Sequence, residues 1–387
     1  MGTQIRSAAF GGARLGAGRS FFNFAPDYPP MKDPYGREIT GLRLSVTSRC
    51  DMRCIYCHKE GQTSGQIMGS KSLRVLESGS HEIVDCRLEI VESRFPSPDS
   101  RFSILGSRFP NSEPRIPSRE SQNSKNEMTV LEIERILKVA KELGITRLKI
   151  TGGEPLLRED IVEIVCAAAK QMEHVSLTTN GARLAPLASN LKKAGLEQVN
   201  ISMDTLDRKK YQEMTGTDQL EQVLCGIQAA VAVGFSPIKL NVVVMRGYNE
   251  NEIEKMIKFA AHTGTILQLI ELEDIGNHEF YEKHHSDLTP IESWLERRAG
   301  KIEERKLHKR KIYYIPNPVE VVRPMHNTQF CANCTRIRIT ADGKLKPCLM
   351  TQEGYVDIVG LIRQGADDSK LKEAFEKAIM AREPYWK

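Results

Sequence analysis

The sequence has no uninterrupted apolar run approaching the roughly 18 residues that a membrane-crossing helix needs. Its start, "MGTQIRSAAFGGARLGAGRSFFNF", also lacks the apolar core of a secretory signal. The expectation is therefore a cytoplasmic chain with no membrane partner. Acidic residues are absent before Asp27. This leaves two readings of the basic, small-residue-rich stretch 1–30: an organelle transit peptide, or an unstructured extension ahead of folded sequence beginning at Met31. The second is adopted. Charge of one sign is scarce as well. A formal net charge of +5 over 387 residues is too little to argue for nucleic acid, and the densest basic run, "RKLHKRK" at 305–311, reads as a solvated hairpin. With 40 % hydrophobic and 27 % charged residues, the composition describes an ordinary globular chain of one large or two smaller domains and excludes a fibre.

What the chain does have is cysteine, nine in all. Without a secretory signal a disulfide framework is not expected, because cytosolic reductants keep thiols free. Six of the nine form two groups: Cys50, Cys54 and Cys57, spaced C-x3-C-x2-C, and Cys331, Cys334 and Cys348, spaced C-x2-C-x13-C. Cys166 and Cys225 sit among apolar residues at helical spacing and read as small core residues. Cys86 lies in a segment, 63–126, rich in Ser, Arg and Pro. That segment repeats weakly every seven residues, but Pro96, Pro98, Pro110, Pro114 and Pro117 break any helix. Too few apolar side chains recur there to offset the entropy of ordering it, so it reads as an inserted, disordered stretch.

Between residues 129 and 273 apolar periodicity alternates between helix and strand. "TVLEIERILKVAKELG" places Val130, Ile133, Leu137 and Ala140 on one helical face; "RLKIT" follows as a buried strand. The unit recurs through "HVSLTTN", "QVNISMD", "IKLNVVV" and "ILQLIELE". With "LRLSVT" ahead of the first cysteines this gives six strands joined by helices. Such an order builds a parallel α/β sheet by right-handed crossovers. Six units fall short of a closed eightfold barrel, so the predicted fold is a partial TIM-type (β/α)6 barrel with a cleft at the strands' C-terminal ends. A separate C-terminal domain, 288–387, carries the second cysteine group.

A structural zinc site takes four ligands, and a lone trio makes a poor one. A [4Fe–4S] cluster held by three thiolates keeps one iron open for a small molecule. On these motifs, C-x3-C-x2-C after a strand that opens a β/α series and "TGGEP" at 151–155, the chain resembles the radical S-adenosylmethionine superfamily. In that superfamily the open iron chelates S-adenosylmethionine, and its cleavage gives a 5′-deoxyadenosyl radical. The "GGEP" glycines are expected to let backbone approach the methionine end. Within the superfamily the resemblance extends to the MoaA-type GTP 3′,8-cyclase family of molybdenum cofactor biosynthesis. It is carried by "DPYGREITGLRLSVTSRCDMRCIYC", "ITGGEPLLRED", "LTTNGARL", "NISMDTLD", "KLNVVVMRGYNENEI" and "FCANCTRIRITADGKLKPCL".

The resemblance implies two [4Fe–4S] clusters, one on Cys50, Cys54 and Cys57 and one on Cys331, Cys334 and Cys348, with domain bounds of 31–287 for the interrupted barrel. It implies that Tyr56, Gly153, Thr178 and Ser202 contact S-adenosylmethionine. It assigns GTP contacts to Arg43, Lys149, Lys239, Arg336, Ile337 and Arg338, with Arg336 and Arg338 counted in the catalytic set beside the first cysteines. The implied reaction takes the C3′ hydrogen of GTP and joins that carbon to guanine C8. It needs an external one-electron reductant, delivers its product to a MoaC-type cyclic pyranopterin monophosphate synthase, and admits a homodimer. Lys149 stands where the family has an arginine, Glu273 where it has a methionine, and the chain ends "REPYWK" where bacterial members carry a Gly-Gly tail. Two alternatives remain open: another radical S-adenosylmethionine enzyme with an auxiliary cluster, such as a peptide-modifying maturase, and a non-catalytic iron–sulfur electron carrier.

Overall fold

The computed structural model describes residues 28–58, 127–325 and 327–385. The predicted insertion, 63–126, with Cys86, and almost all of the predicted extension 1–30 lie outside the described residues. The elements run β1 (Gly41–Ser45), α1 (Val130–Glu142), β2 (Arg147–Thr151), α2 (Ile161–Gln171), β3 (His174–Thr179), α3 (Leu184–Lys193), β4 (Gln198–Ser202), α4 (Arg208–Thr215), α5 (Leu220–Ala232), β5 (Ile238–Val244), α6 (Ile253–Thr263) and β6 (Ile266–Glu271). There follow α7 (His278–His284), α8 (Thr289–Glu296), β7 (Lys301–Glu304), β8 (Lys311–Ile315), β9 (Asn317–Val322), α9 (Thr328–Ala332), β10 (Arg336–Ile339), β11 (Lys344–Lys346), β12 (Val356–Asp357), α10 (Ile358–Arg363) and α11 (Asp368–Met380).

Local chemistry sets the helix ends. Thr129 caps α1 by a reciprocal box, Glu132 N donating to Thr129 Oγ1 at 3.2 Å and Thr129 N to Glu132 Oε2 at 2.8 Å. The buried face of α1 is Ile133, Ile136, Leu137, Val139 and Ala140, broader than the predicted stripe, while Val130 is half-buried at its start. In α2 the buried residues are Ile161, Ile164, Val165, Ala167 and Ala168. Cys166 is exposed, contrary to the expectation of a core thiol, because the helical turn swings it away from Val165 towards solvent.

The strands form one open sheet in the order β12-β11-β10-β1-β2-β3-β4-β5-β6-β9-β8-β7. The six predicted strands are its parallel centre. Residues beyond 288 supply both edges: β9 pairs in parallel with β6, and β10 in parallel with β1, each then continued by antiparallel strands. The sheet is an incomplete (β/α) barrel extended to eight parallel strands.

Along these eight strands the two faces differ in kind. Leu42, Leu44, Leu148, Ile150, Val175, Leu177, Val199, Ile201, Leu240, Val242, Leu267, Leu269, Val319, Val321, Ile337 and Ile339 are buried in one core with the helices. Truncating such a residue, Leu240→Ala for example, costs about 2–5 kcal/mol. By the two-residue period the other face carries Arg43, Lys149, Thr178, Asn200, Ser202, Lys239, Asn241, Gln268, Glu320, Arg336 and Arg338. A closed barrel fills that face with branched apolar side chains. Here it is a polar wall, the composition of a binding cleft. Among the described residues no helix is long and apolar enough to cross a membrane.

Candidate active site

The first cysteine loop, 46–58, leaves the C-terminal end of β1 and is held on two sides. On one side Val46 N donates to Thr151 O at 2.9 Å, Gly153 N to Thr47 O at 2.7 Å and Glu154 N to Arg49 O at 2.7 Å. A Cβ on Gly152 would lie 2.6 Å from Thr47 O, and one on Gly153 2.2 Å from Arg49 O. The close approach that excludes a side chain at these glycines is to the chain's own backbone. Arg158, fully buried, donates from Nη1 to Val46 O at 2.9 Å and Met128 O at 2.8 Å, and forks onto Asp160 at 2.7 and 2.6 Å. That is the structural role of "LLRED". On the other side Arg53 N donates to Thr215 O at 2.8 Å and Ile55 N to Met214 O at 2.9 Å.

Carboxylates surround this trio. Glu154, 1 % exposed, accepts from Leu156 N at 2.9 Å, Thr179 Oγ1 at 2.7 Å and Asn180 N at 2.7 Å; burial pushes it up to about 7 against those bonds. Asp51 accepts from Asn180 Nδ2 at 2.8 Å and pairs with Arg183 Nε at 3.0 Å. Cys50 and Cys57 are exposed as residues and Cys54 is half-buried. The Cys50 thiol is nevertheless pushed up to about 12, first by desolvation and then by Glu154 and Asp51. Cys54 is raised in the same direction, by desolvation and Asp204, and the thiols act on one another. Among the described residues no three His, Cys, Asp or Glu side chains converge to hold a single metal ion. A cubane asks for something else, since each thiolate binds a different iron, and three mutually interacting thiols on one short loop fit that demand.

Asp204, just beyond β4, was not legible as a site residue. It accepts from the hydroxyl of Tyr56 and, at 2.8 Å, from Val243 N. Asn249 Nδ2 donates to Asp204 O and to Val243 O, both at 2.9 Å. Burial pushes the Asp204 carboxyl up to about 6. Tyr56 thus ties the cysteine loop to the ends of β4 and β5. Thr178 Oγ1 and Asn241 Oδ1 are buried without a hydrogen-bond partner among the described residues, and Ser202 is half-buried at the end of β4. Orphaned acceptors and donors of this kind cost about 1–3 kcal/mol each unless a ligand or water meets them.

The second trio sits among cations. Asn327 caps α9, which carries Cys331; Cys334 N donates to Cys331 O at 3.1 Å; β10 begins at Arg336, and β11 leads to Cys348. Register places Arg43 opposite Arg338 on one side and Lys149 on the other, with Lys346 opposite Arg338. Ile337, between the two arginines, is 0 % exposed with its side chain in the helix-facing core, so a contact to GTP from this residue would have to come from its main chain. Burial pulls Lys149 well below its ordinary value, and Arg336, Arg43, Lys239 and Arg310 add to it. Burial and neighbouring cations press Arg336 and Arg338 down in the same way. Neither the Lys149 nor the Arg336 side chain makes a hydrogen bond or ion pair among the described residues.

Lys239 is differently placed. Its Nζ lies 2.6 Å from Glu320 Oε1, with Arg305 Nη2 at 2.6 Å, Arg310 Nη1 at 3.6 Å and Gln268 Nε2 at 2.8 Å from the same carboxylate. The 305–311 run does connect a hairpin, β7 to β8, and Lys306, Lys309 and Lys311 are exposed as expected, but Arg305 and Arg310 turn inward to Glu320 and His308 is 5 % exposed. Between the two trios lies His58, whose Nδ1 is 3.9 Å from Glu273 Oε2. Burial, then Arg43, Arg338 and Lys346, pull His58 down to about 3, so it is neutral. Glu273, where a methionine was expected, is pushed up to about 7 by burial while Arg43 opposes.

Two family descriptions match the chain: "Radical SAM superfamily" over residues 44–260 and "Molybdenum Cofactor Synthesis C" over 265–387. The "Probable GTP 3′,8-cyclase" of Thermococcus kodakarensis is 42 % identical over 365 residues, 92 % of this chain and 100 % of that protein. Its namesake in Methanothermobacter thermautotrophicus is 38 % identical over 361 residues, 92 % of this chain and 99 % of that protein. Among solved structures, Streptococcus suis SuiB bound to S-adenosylmethionine superposes with a TM-score of 0.52 at 15 % identity, covering 87 % of this chain and 67 % of that one, a likeness of fold alone. By its superfamily motif, its C-terminal region and its full-length relatives, the chain belongs to the radical SAM superfamily and, within it, to the family of the GTP 3′,8-cyclases.

Proposed function

We infer that this chain converts GTP to (8S)-3′,8-cyclo-7,8-dihydroguanosine 5′-triphosphate, the first step of molybdenum cofactor biosynthesis, as a radical SAM lyase. The observation in the molecule that carries this reading is the pair Lys149 and Arg336, two half-buried, partly desolvated cations on the polar wall whose side chains meet no acid among the described residues. Cations that lose part of their hydration beside one another without a partner are costly. A nucleoside triphosphate supplies the missing anion, and the guanidinium forks of Arg336 and Arg338 suit phosphate oxygens or a guanine edge.

Cys50, Cys54 and Cys57 would hold one [4Fe–4S] cluster, and Cys331, Cys334 and Cys348 a second beside Arg336 and Arg338. When bound, the first cluster supplies the electron that cleaves S-adenosylmethionine, whose adenosyl fragment takes the C3′ hydrogen of GTP. The rest falls to the chain. Arg43, Lys149, Arg336 and Arg338 orient the triphosphate and base along β1, β2 and β10; Lys239 serves through its pair with Glu320. Gly153 lets the loop seat against β2, Tyr56 fixes it to Asp204, and Thr178 and Ser202 offer polar contacts to S-adenosylmethionine. Positioning and exclusion of water are the protein's share of the barrier. An external one-electron reductant and a downstream MoaC-type synthase complete the scheme.

The test is anaerobic incubation of the reconstituted chain with GTP, S-adenosylmethionine and dithionite, followed by mass spectrometry of the nucleotide. The cyclised triphosphate, isomeric with GTP and chromatographically distinct, is expected. Cleavage of S-adenosylmethionine with GTP returned unchanged contradicts the reading and favours a maturase.

A further inference from the structure

Two arginines from opposite ends of the chain meet at the second cysteine loop. Arg37, in the turn before β1, donates from Nη1 to Cys331 O at 3.1 Å. Arg382, just past α11, donates from Nη2 to Cys334 O at 3.0 Å. Both are buried, at 9 % and 4 % exposure, and both reach the same atom: Asp33 Oδ2 lies 2.6 Å from Arg37 Nε and 3.0 Å from Arg382 Nη1. Asp33 is itself fixed, its Oδ1 accepting from Tyr35 N and Arg37 N at 3.0 Å each. The remaining Arg37 donors hold the C-terminal segment, Nη2 to Glu383 O at 2.6 Å and Nη1 to Pro384 O at 2.9 Å.

The charges here do not balance. One carboxylate serves two guanidinium groups, neither of which can lose its proton, so the cluster of three keeps one net positive charge in a buried place. The thiols of Cys334 and Cys348, which can turn negative, both act electrostatically on Arg382. A thiolate-bound cluster at the trio would supply the negative charge that Asp33 alone does not.

We propose that Arg37 and Arg382, sharing Asp33, are positioning residues for the second cluster: they fix the Cys331–Cys334 turn by its carbonyls and place a positive charge beside its thiolates. The proposal rests on the reading of Cys331, Cys334 and Cys348 as cluster ligands. It makes the segment 382–385 part of the auxiliary site, docked against the turn before β1.

The experiment measures iron and sulfide, with redox-poised EPR, in full-length chain reconstituted anaerobically. It compares wild type, Arg37→Ala, Arg382→Ala, Arg382→Lys and the triple variant C331A/C334A/C348A, with thermal unfolding of each before reconstitution. About eight irons are expected in the wild type and about four in the triple cysteine variant. Arg37→Ala and Arg382→Ala are expected near four, with the first cluster's signal retained. Arg382→Lys keeps a charge but not the fork, and should hold iron with the second cluster's potential displaced. Wild-type iron and an unshifted second signal in Arg382→Ala, or in Arg382→Lys should the alanine variant not fold, overturn the proposal. So does loss of iron from both trios together, which marks a merely structural clamp. A wild type with about four irons overturns instead the cluster reading beneath it.

Discussion

Around Cys50, Cys54 and Cys57 the buried charges are carboxylates, Glu154 and Asp204, with Asp51 beside them. Around Cys334 and Cys348 the charges are mostly cations, half-buried Arg336 and Arg338 and buried Lys346 and Arg382, with Asp33 pairing the last. The same number of thiols is thus set in two opposite fields. Carboxylates favour a cationic ligand and disfavour further negative charge; guanidinium and ammonium groups do the reverse. S-adenosylmethionine carries a sulfonium and an ammonium, GTP a string of phosphates. On the proposed function, this difference is what would favour S-adenosylmethionine at the first trio and GTP at the second, with His58, held down to about 3, beside the cations.

The largest effect is expected where the comparison is broken outright. Cys54→Ala removes a ligand of the first cluster and should bring cyclised nucleotide to background, measured by mass spectrometry after anaerobic turnover. Next comes the cationic wall. Lys149→Ala with Arg336→Ala should weaken GTP binding by roughly tenfold to a thousandfold, on the scale of about 1.5–3 kcal/mol for one or more charge-assisted hydrogen bonds. Iron content should stay at the wild-type value. Unchanged GTP affinity in a folded, iron-replete double variant would detach those cations from the substrate.

A moderate effect on stability is expected at Glu320, an acid set deep among the cations of Lys239, Arg305 and Arg310. Burial opposes its charge, but Lys239, Arg310 and Arg305 outweigh burial and hold the carboxyl down at about 2, against an ordinary 4.5. A folded-state value below the unfolded one means stability that is present above pH 4.5 and is lost as pH falls towards 2. Glu320→Gln should therefore cost about 3 kcal/mol at neutral pH, the scale of breaking a buried pair. The gap to wild type in denaturant melts should narrow progressively below pH 4.5; a gap constant down to pH 2.5 would contradict the assignment. The smallest effect belongs to a thiol of neither trio. Cys166→Ser, on the exposed face of α2, should change stability by less than about 0.5 kcal/mol, and the native thiol should react readily with a maleimide.

Much of this contrast was legible in the sequence, and the reasons are local. The six central strands declared themselves by alternating Leu, Ile and Val between helical stretches, and both trios by spacing. Cys166 could have been placed by its helical angle, one residue past Val165 and off the Ile161–Ile164–Ala168 stripe. What was not legible is made by residues far apart in the chain. The pairing of β10 with β1 joins Arg336 to Gly41, and nothing in the spacing of either strand names the other. Asp204, Asp33 and Glu320 each collect partners from distant elements, and the only trace left in the sequence is a lone carboxylate in an unlikely setting, as with Glu320 between Val319 and Val321. Arg305 and Arg310 look like surface charge until Glu320 draws them in.

The most direct test of the two-field account is a crossed titration under anaerobic conditions, with GTP and S-adenosylmethionine each titrated against C50A/C54A/C57A and against C331A/C334A/C348A by calorimetry. The account predicts that the first variant loses S-adenosylmethionine and keeps GTP, while the second loses most of its GTP affinity and keeps S-adenosylmethionine. Loss of both ligands from either variant, or GTP binding that ignores the second trio, would contradict it.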